Sequence, residues 1–242
     1  MSAALVIGST GLVGNHILST LAAGTAYQPV QSITRREPKS GGQQQQQQVQ
    51  SVVEADTSRW PSSLSSLSPS PTTVFSALGT TRAAAGGLDK QWKIDHDLNV
   101  EMARAAKAAG ARTLVFVSAA GTRGMISARA PYSKMKNGVE DAVRDLDFDQ
   151  AVIVKPGLIL GSREQTRMAE GIFQKLASVV GAVSPSIRDT FAQDAEVIAR
   201  AAVSAARLAD QGKAPSKFWL VEPADILRLG RDQWPLADDG SA

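Results

Sequence analysis

Short apolar runs alternate with amphipathic stretches along the chain. Residues 3–7 (Ala-Ala-Leu-Val-Ile) are uninterrupted apolar sequence of the length of a strand buried on both faces. Residues 30–34, 49–53, 73–77, 113–117, 151–155 and 218–221 read as further strands. Between them the apolar positions recur every three or four residues, the period of a helix with one buried face. Ile17, Leu18 and Leu21 mark the first such helix, and Ile94, Leu98, Met102 and Ala105 mark a long one that starts near residue 90 and stops at Gly110. Others are expected over 134–146, about 164–180, and an alanine-rich 194–209. Strands alternating with helices predict an α/β fold: a Rossmann-type, doubly wound parallel sheet with helices on both faces.

Three stretches break the pattern. Residues 37–50 include six consecutive glutamines and lack the apolar side chains that would offset ordering, so they read as a disordered surface insertion. Residues 57–73 are rich in serine and proline and are expected to pack little, with Leu64 and Leu67 anchoring one helical turn. Residues 157–191 read as a small C-terminal cap over the carboxyl ends of the strands, and no composition break divides 1–242 into two domains. The most apolar segment, 172–183, is interrupted by Gln174, Lys175 and Ser178 and is too short to span a bilayer. Strand sequence begins at Ala3, so a cleaved leader would remove it; any membrane association is expected to be peripheral.

Composition narrows the chemistry. Of 242 residues, 43% are hydrophobic and 20% charged, and 26 basic against 23 acidic side chains leave +3. That scattered surplus argues against a nucleic-acid partner. With no cysteine, and only His16 and His96 far apart, no metal site is expected.

The first strand runs into Gly8-Ser9-Thr10-Gly11-Leu12-Val13-Gly14 and then a helix. This G-x-x-G-x-x-G spacing brings backbone amides against a dinucleotide pyrophosphate. Gly8 allows the turn, Gly11 clears the phosphates, and Gly14 lets the helix approach the sheet. An NAD-preferring site carries an acid at the end of strand two, whereas here Arg35 and Arg36 stand there. A guanidinium pairs with a 2′-phosphate, so the expected cofactor is NADP(H), with Arg35 the first contact. Asp56, after strand three, is placed to accept from the adenine amine, and Leu78 and Gly79, after strand four, to lie beside the adenine ribose. Tyr132 and Lys136 share one helical face after strand five. A cation beside a phenol is expected to lower the phenol's pKa, which suits proton exchange with a carbonyl. Tyr27, the other tyrosine, falls in an undistinguished turn.

Gly8-x-x-Gly-x-x-Gly14, Tyr132-x-x-x-Lys136 and Lys155-Pro156-Gly157 together resemble the extended or atypical short-chain dehydrogenase/reductase superfamily. More narrowly, Leu5 to Gly14, Leu78 to Arg82 and Lys155 to Arg163 resemble small fungal proteins of the mitochondrial outer membrane, relatives of the Tat-interacting oxidoreductase-like protein. The resemblance implies Tyr132 as catalytic acid/base, Lys136 on the cofactor ribose, and Pro156 and Gly157 against the nicotinamide. It also implies an outer-membrane location, bound peripherally on the cytosolic face. Two positions depart from the pattern. The expected structural asparagine aligns with Asp95, with Asn99 one turn on, and the hydroxyl run after strand five is Ser118-Ala119-Ala120. Ser118 is then the candidate to polarise the substrate, with Thr122 in reserve. The reading is an NADP(H)-dependent oxidoreductase that reduces a small carbonyl substrate, as a monomer or weak dimer. The alternative is a dinucleotide-binding sensor or scaffold with little turnover; epimerisation is a third chemistry.

Overall fold

A computed structural model describes residues 2–38, 49–161 and 192–235. Seven strands form one parallel sheet in the order β3-β2-β1-β4-β5-β6-β9. They are β1 (Ser2–Ile7), β2 (Tyr27–Thr34), β3 (Val49–Val53), β4 (Thr73–Ser76), β5 (Thr113–Val117), β6 (Gln150–Val154) and β9 (Phe218–Val221). β3, β5 and β9 match the sequence pattern end for end, and β5 is buried at every position and apolar after Thr113. β7 (Leu158–Leu160) and β8 (Ala192–Asp194) pair as a second, two-stranded parallel sheet that periodicity does not announce. The expected glutamine-rich insertion falls largely on residues 39–48, and the expected helix over 164–180 with most of the cap on 162–191, all outside the described residues.

The two sheet faces bury separate cores. Ala4, Val6, Val115 and Val117 face α1 (Leu12–Ala23) and the long α7 (Ala195–Asp210). Their alternates Leu5, Ile7, Leu114 and Phe116 face α2 (Trp60–Ser65), α5 (Asn99–Ala108) and α6 (Pro131–Asp145). This two-residue alternation within unbroken apolar strands is what a doubly covered sheet requires.

Three sequence expectations change. Residues 57–73 do pack: Trp60 and Leu64 are buried against the second core, and the Trp60 indole donates to the Glu54 carbonyl at 2.9 Å. Tyr27 is no loose turn residue. It is the buried first residue of β2, and its hydroxyl donates to Asp210 at 2.7 Å. Thr73 and Thr113 donate to the same carboxylate at 2.9 and 2.6 Å, so three hydroxyls at strand beginnings offset a carboxylate placed unfavourably at the end of α7. Burial and the Asp210 charge together hold the Tyr27 phenol far above its ordinary pKa.

The third change lies in the long helix. α4 (Leu88–Trp92) passes into α5 through a π-helical turn, Lys93–Leu98. The wider turn rotates the stripe, so Asp95, Leu98, Asn99 and Met102 are buried while Ile94 and Ala105 are only half-buried.

Candidate cofactor and active site

In this strand order β1 and β4 are neighbours although their connections leave in opposite directions along the sheet. A crevice opens there beyond the carboxyl ends of the strands, the place where α/β sheets bind ligands. The glycine loop fills its near side. Gly8 has φ +84°, and its position crowds the Ala77–Leu78 backbone at the end of β4. The Gly11 amide donates to the Gly8 carbonyl at 2.9 Å, closing the turn. A Cβ on Gly14 would stand 2.2 Å from the Gly8 oxygen, so only glycine lets α1 start this close to the loop. The side-chain-free surface over Gly8 and Gly11 and the N-terminus of α1 suit a pyrophosphate, so the residues present fit a dinucleotide.

The other predicted contacts are placed as follows. Ser9 turns inward, fully buried, and its hydroxyl bonds Ser32 on β2 at 2.7 Å; toward a phosphate it has only its amide to offer. Thr10 is exposed, Leu12 half-buried, and Val13 belongs to the core. Arg35 and Arg36 are exposed at the end of β2, where the Thr34 hydroxyl donates to the Arg36 carbonyl at 2.7 Å and fixes the turn. Asp56 is exposed, but one carboxylate oxygen accepts from the Ser58 amide and hydroxyl at 3.0 and 2.7 Å, capping a 3-10 turn. Those bonds hold its pKa below the usual range and leave its second oxygen outward. Leu78 and Gly79 follow β4 on the rim of the crevice.

The far side is built by α6 and the π turn. Pro131 opens α6 with no amide to leave unpaired, which puts Tyr132 in its first turn, 44% exposed. One turn on, the buried Lys136 ammonium donates to the Val117 carbonyl at the end of β5 at 3.0 Å and lies 4.8 Å over the Phe116 ring. Burial brings the Lys136 pKa down to about 8, against the opposing pull of Asp95 and Glu140. The Tyr132 phenol is shifted upward, not downward as the spacing predicts: desolvation and the negative charge of Asp95 both favour its neutral form. Asp95 thus acts electrostatically on both members of the pair. It is buried, accepting from the Thr80 amide at 2.6 Å and the Gln91 side chain at 3.1 Å, and burial pushes its pKa up.

Asn99, not Asp95, does the structural work expected of an asparagine here. Its oxygen accepts from Ser76 at 2.7 Å, and its amide donates to the Ile94, Asp95 and Leu78 carbonyls at 3.0 to 3.3 Å, tying the π turn to the end of β4. Gly138 on α6 lies against the His96 ring, with no room for a Cβ. That close approach sets α6 against the π turn, and sequence spacing gives no hint of it.

Ser118 departs most from expectation. Its hydroxyl donates to the buried Glu140 at 2.5 Å, so it is directed into the protein and not toward a substrate. The same carboxylate pairs with buried Lys155 at 3.2 Å and with Arg123 at 3.1 Å, and Arg123 also reaches Asp141 at 2.6 Å. Thr122 is buried with its hydroxyl 3.5 Å from the Ala119 carbonyl. Pro156 accepts from the Ala120 amide at 2.7 Å and the Gly157 amide donates to Gln193 at 2.8 Å, joining the ends of β5, β6 and β8. No group of His, Cys, Asp and Glu among the described residues forms a metal site. A cleft of about 450 Å³ between α1 and α7, lined by His16, Tyr27, Arg200 and Trp234 among others, lies toward the beginnings of the strands and shares no residue with this site.

The profile of a family described as NAD(P)H-binding matches residues 8–172. The Neurospora crassa protein named "Protein fmp-52, mitochondrial" is 55% identical over 232 residues, 95% of each chain. "Protein fmp52-2, mitochondrial" of Aspergillus terreus is 50% identical over 234 residues, 97% of this chain and 99% of that one. Among solved structures, MoeE5 in complex with UDP-glucose and NAD superposes with a TM-score of 0.63 at 14% identity, covering 91% of this chain and 75% of that one. The UDP-Glc/GlcNAc 4-epimerase of Campylobacter jejuni gives 0.64 at 13% identity over 94% and 82%. These two likenesses establish the fold, a Rossmann-like parallel α/β sheet. The glycine cradle, the family profile and the close relatives converge: this chain belongs to the NAD(P)H-binding Rossmann family, among the fungal proteins named fmp52.

Proposed function

We propose that the protein is an NADP(H)-dependent reductase of a carbonyl substrate. The observation that carries this reading is the pairing on α6 of a half-exposed Tyr132 with a buried Lys136 anchored on the last carbonyl of β5. When bound, a nicotinamide would supply hydride for the carbonyl carbon. Tyr132, kept protonated by its surroundings, gives its proton to the carbonyl oxygen, so the product is an alcohol. Lys136 offers its remaining ammonium protons to the ribose hydroxyls. Gly8, Ser9, Thr10, Gly11, Leu12, Val13 and Gly14 receive the pyrophosphate, largely through backbone. Arg35 and Arg36 take the 2′-phosphate, and Asp56, Leu78 and Gly79 border the adenosine. Pro156 and Gly157 back the nicotinamide. The upward shift keeps the Tyr132 phenol protonated at neutral pH and also makes it a weaker acid.

The relatives' names support a mitochondrial location. No helix among the described residues is long and apolar enough to cross a membrane, which fits peripheral attachment to the outer membrane. A second reading has its own support: Ser118 is committed to Glu140 and two alanines follow it, so the end of β5 offers no free hydroxyl to a substrate oxygen. This favours a dinucleotide-binding sensor or scaffold. NADPH consumption with a panel of aldehydes, ketones and quinones separates the two. Turnover of any of them supports the reductase. Tight NADPH binding with no turnover across the panel favours the sensor.

A further inference from the structure

Large apolar side chains are exposed at few places among the described residues, and four of the six follow β5 or β6 at the carboxyl end of the sheet. Met125 is 94% exposed, Ile126 86%, Tyr132 44% and Leu158 41%. The first two are the tip of the segment joining β5 to α6, Tyr132 opens α6, and Leu158 begins β7 directly after β6. All four stand beyond the carboxyl ends of two adjacent strands, and one is the proposed proton donor.

The tip is held out by a bonded loop. Arg123 anchors its base on Glu140 and Asp141, the Asn137 amide donates to the Thr122 carbonyl at 3.0 Å, and the Ser127 hydroxyl donates to the Gly121 carbonyl at 2.5 Å. The Ala128 amide closes the turn on the Gly124 carbonyl at 2.9 Å. A loop fixed in this way keeps two large apolar side chains in water, an arrangement that marks a contact surface. The charges beside it do not make an anion clamp. Arg123 is neutralised by two carboxylates, and Lys134, two residues after Tyr132, lies on the opposite side of the helix from it. Arg129 is the remaining exposed cation of the loop.

We propose that Met125, Ile126 and Leu158 form an acceptor subsite for the hydrocarbon portion of the substrate, with its carbonyl at Tyr132. The substrate class is an aliphatic aldehyde or ketone, in contrast to the nucleotide sugars named for the structural neighbours. The inference rests on the reductase reading of Tyr132.

The test uses linear primary amides of four to ten carbons, whose carbonyl accepts a hydrogen bond and is not reduced. They are titrated calorimetrically into the full chain with NADP+ present. Affinity is expected to rise about two- to fourfold per methylene. In the double variant Met125→Ser/Ile126→Ser that dependence should flatten, with NADP+ affinity unchanged within about twofold. A wild-type affinity independent of chain length, or a slope the double variant retains, overturns the proposal. Aldehydes of the same lengths separate the two layers of the argument. Length-dependent amide binding without reduction of any aldehyde upholds the subsite and defeats the reductase reading. Reduction without length dependence does the reverse.

Discussion

The glycine loop is a binding surface made of backbone, whereas the ends of β5 and β6 are held by buried charged side chains. In the loop every constraint lies within seven residues: the positive φ of Gly8, the Gly11 amide on the Gly8 carbonyl, and the missing Cβ of Gly14. At the other end, one carboxylate, Glu140, collects a hydroxyl from β5, an ammonium from β6 and a guanidinium from the loop between β5 and α6. The first device tolerates little change in shape and the second little change in charge. The two halves should therefore fail differently.

Glu140→Ala should have the largest effect, because it strands the Lys155 ammonium, whose side chain is 4% exposed, without its counter-ion. A loss of about 3 to 5 kcal/mol is expected in denaturant unfolding. Replacing both members by apolar residues of similar volume, Glu140→Leu with Lys155→Met, should recover most of it. A single variant as stable as the parent would show that the network contributes nothing. Gly14→Ala should act on the cofactor instead. Its methyl group collides with the Gly8 carbonyl, so NADPH affinity should fall by about a hundredfold or more in calorimetric titration.

Arg35→Ala tests the cofactor choice within the backbone-built half. The parent is expected to prefer NADPH over NADH by at least about tenfold, or 1.4 kcal/mol, and the variant to lose that gap. Equal affinities in the parent would remove the 2′-phosphate argument. The smallest expected effect is a pH dependence. Burial sets the Lys136 pKa at about 8, so its cation is present below that pH and disappears above it. NADPH affinity should fall a few-fold as pH rises from about 7 to 9, and Lys136→Met should abolish that dependence.

The same contrast explains what was legible in the sequence. Gly8, Gly11 and Gly14 are readable because their constraints are local, and strand 113–117 because burial at every position leaves only its opening Thr113 polar. Glu140 was not readable as a hub, since its partners lie 22, 17 and 15 residues away and no spacing rule connects them. The π turn escaped for a related reason. No residue type encodes it, yet it brings Asp95 inward, where its charge adds to the burial that raises the Tyr132 pKa. Trp60 and Tyr27 sit in polar-looking stretches, and only their partners, the Glu54 carbonyl 6 residues away and Asp210 183 residues away, show what they anchor.

The most direct test of the reductase account is Tyr132→Phe, assayed by NADPH consumption on a substrate the parent reduces. The ring still packs and only the proton donor is lost, so NADPH affinity should stay within about threefold while the rate falls about a hundredfold or more. Equal rates for parent and variant would show that Tyr132 is not the acid.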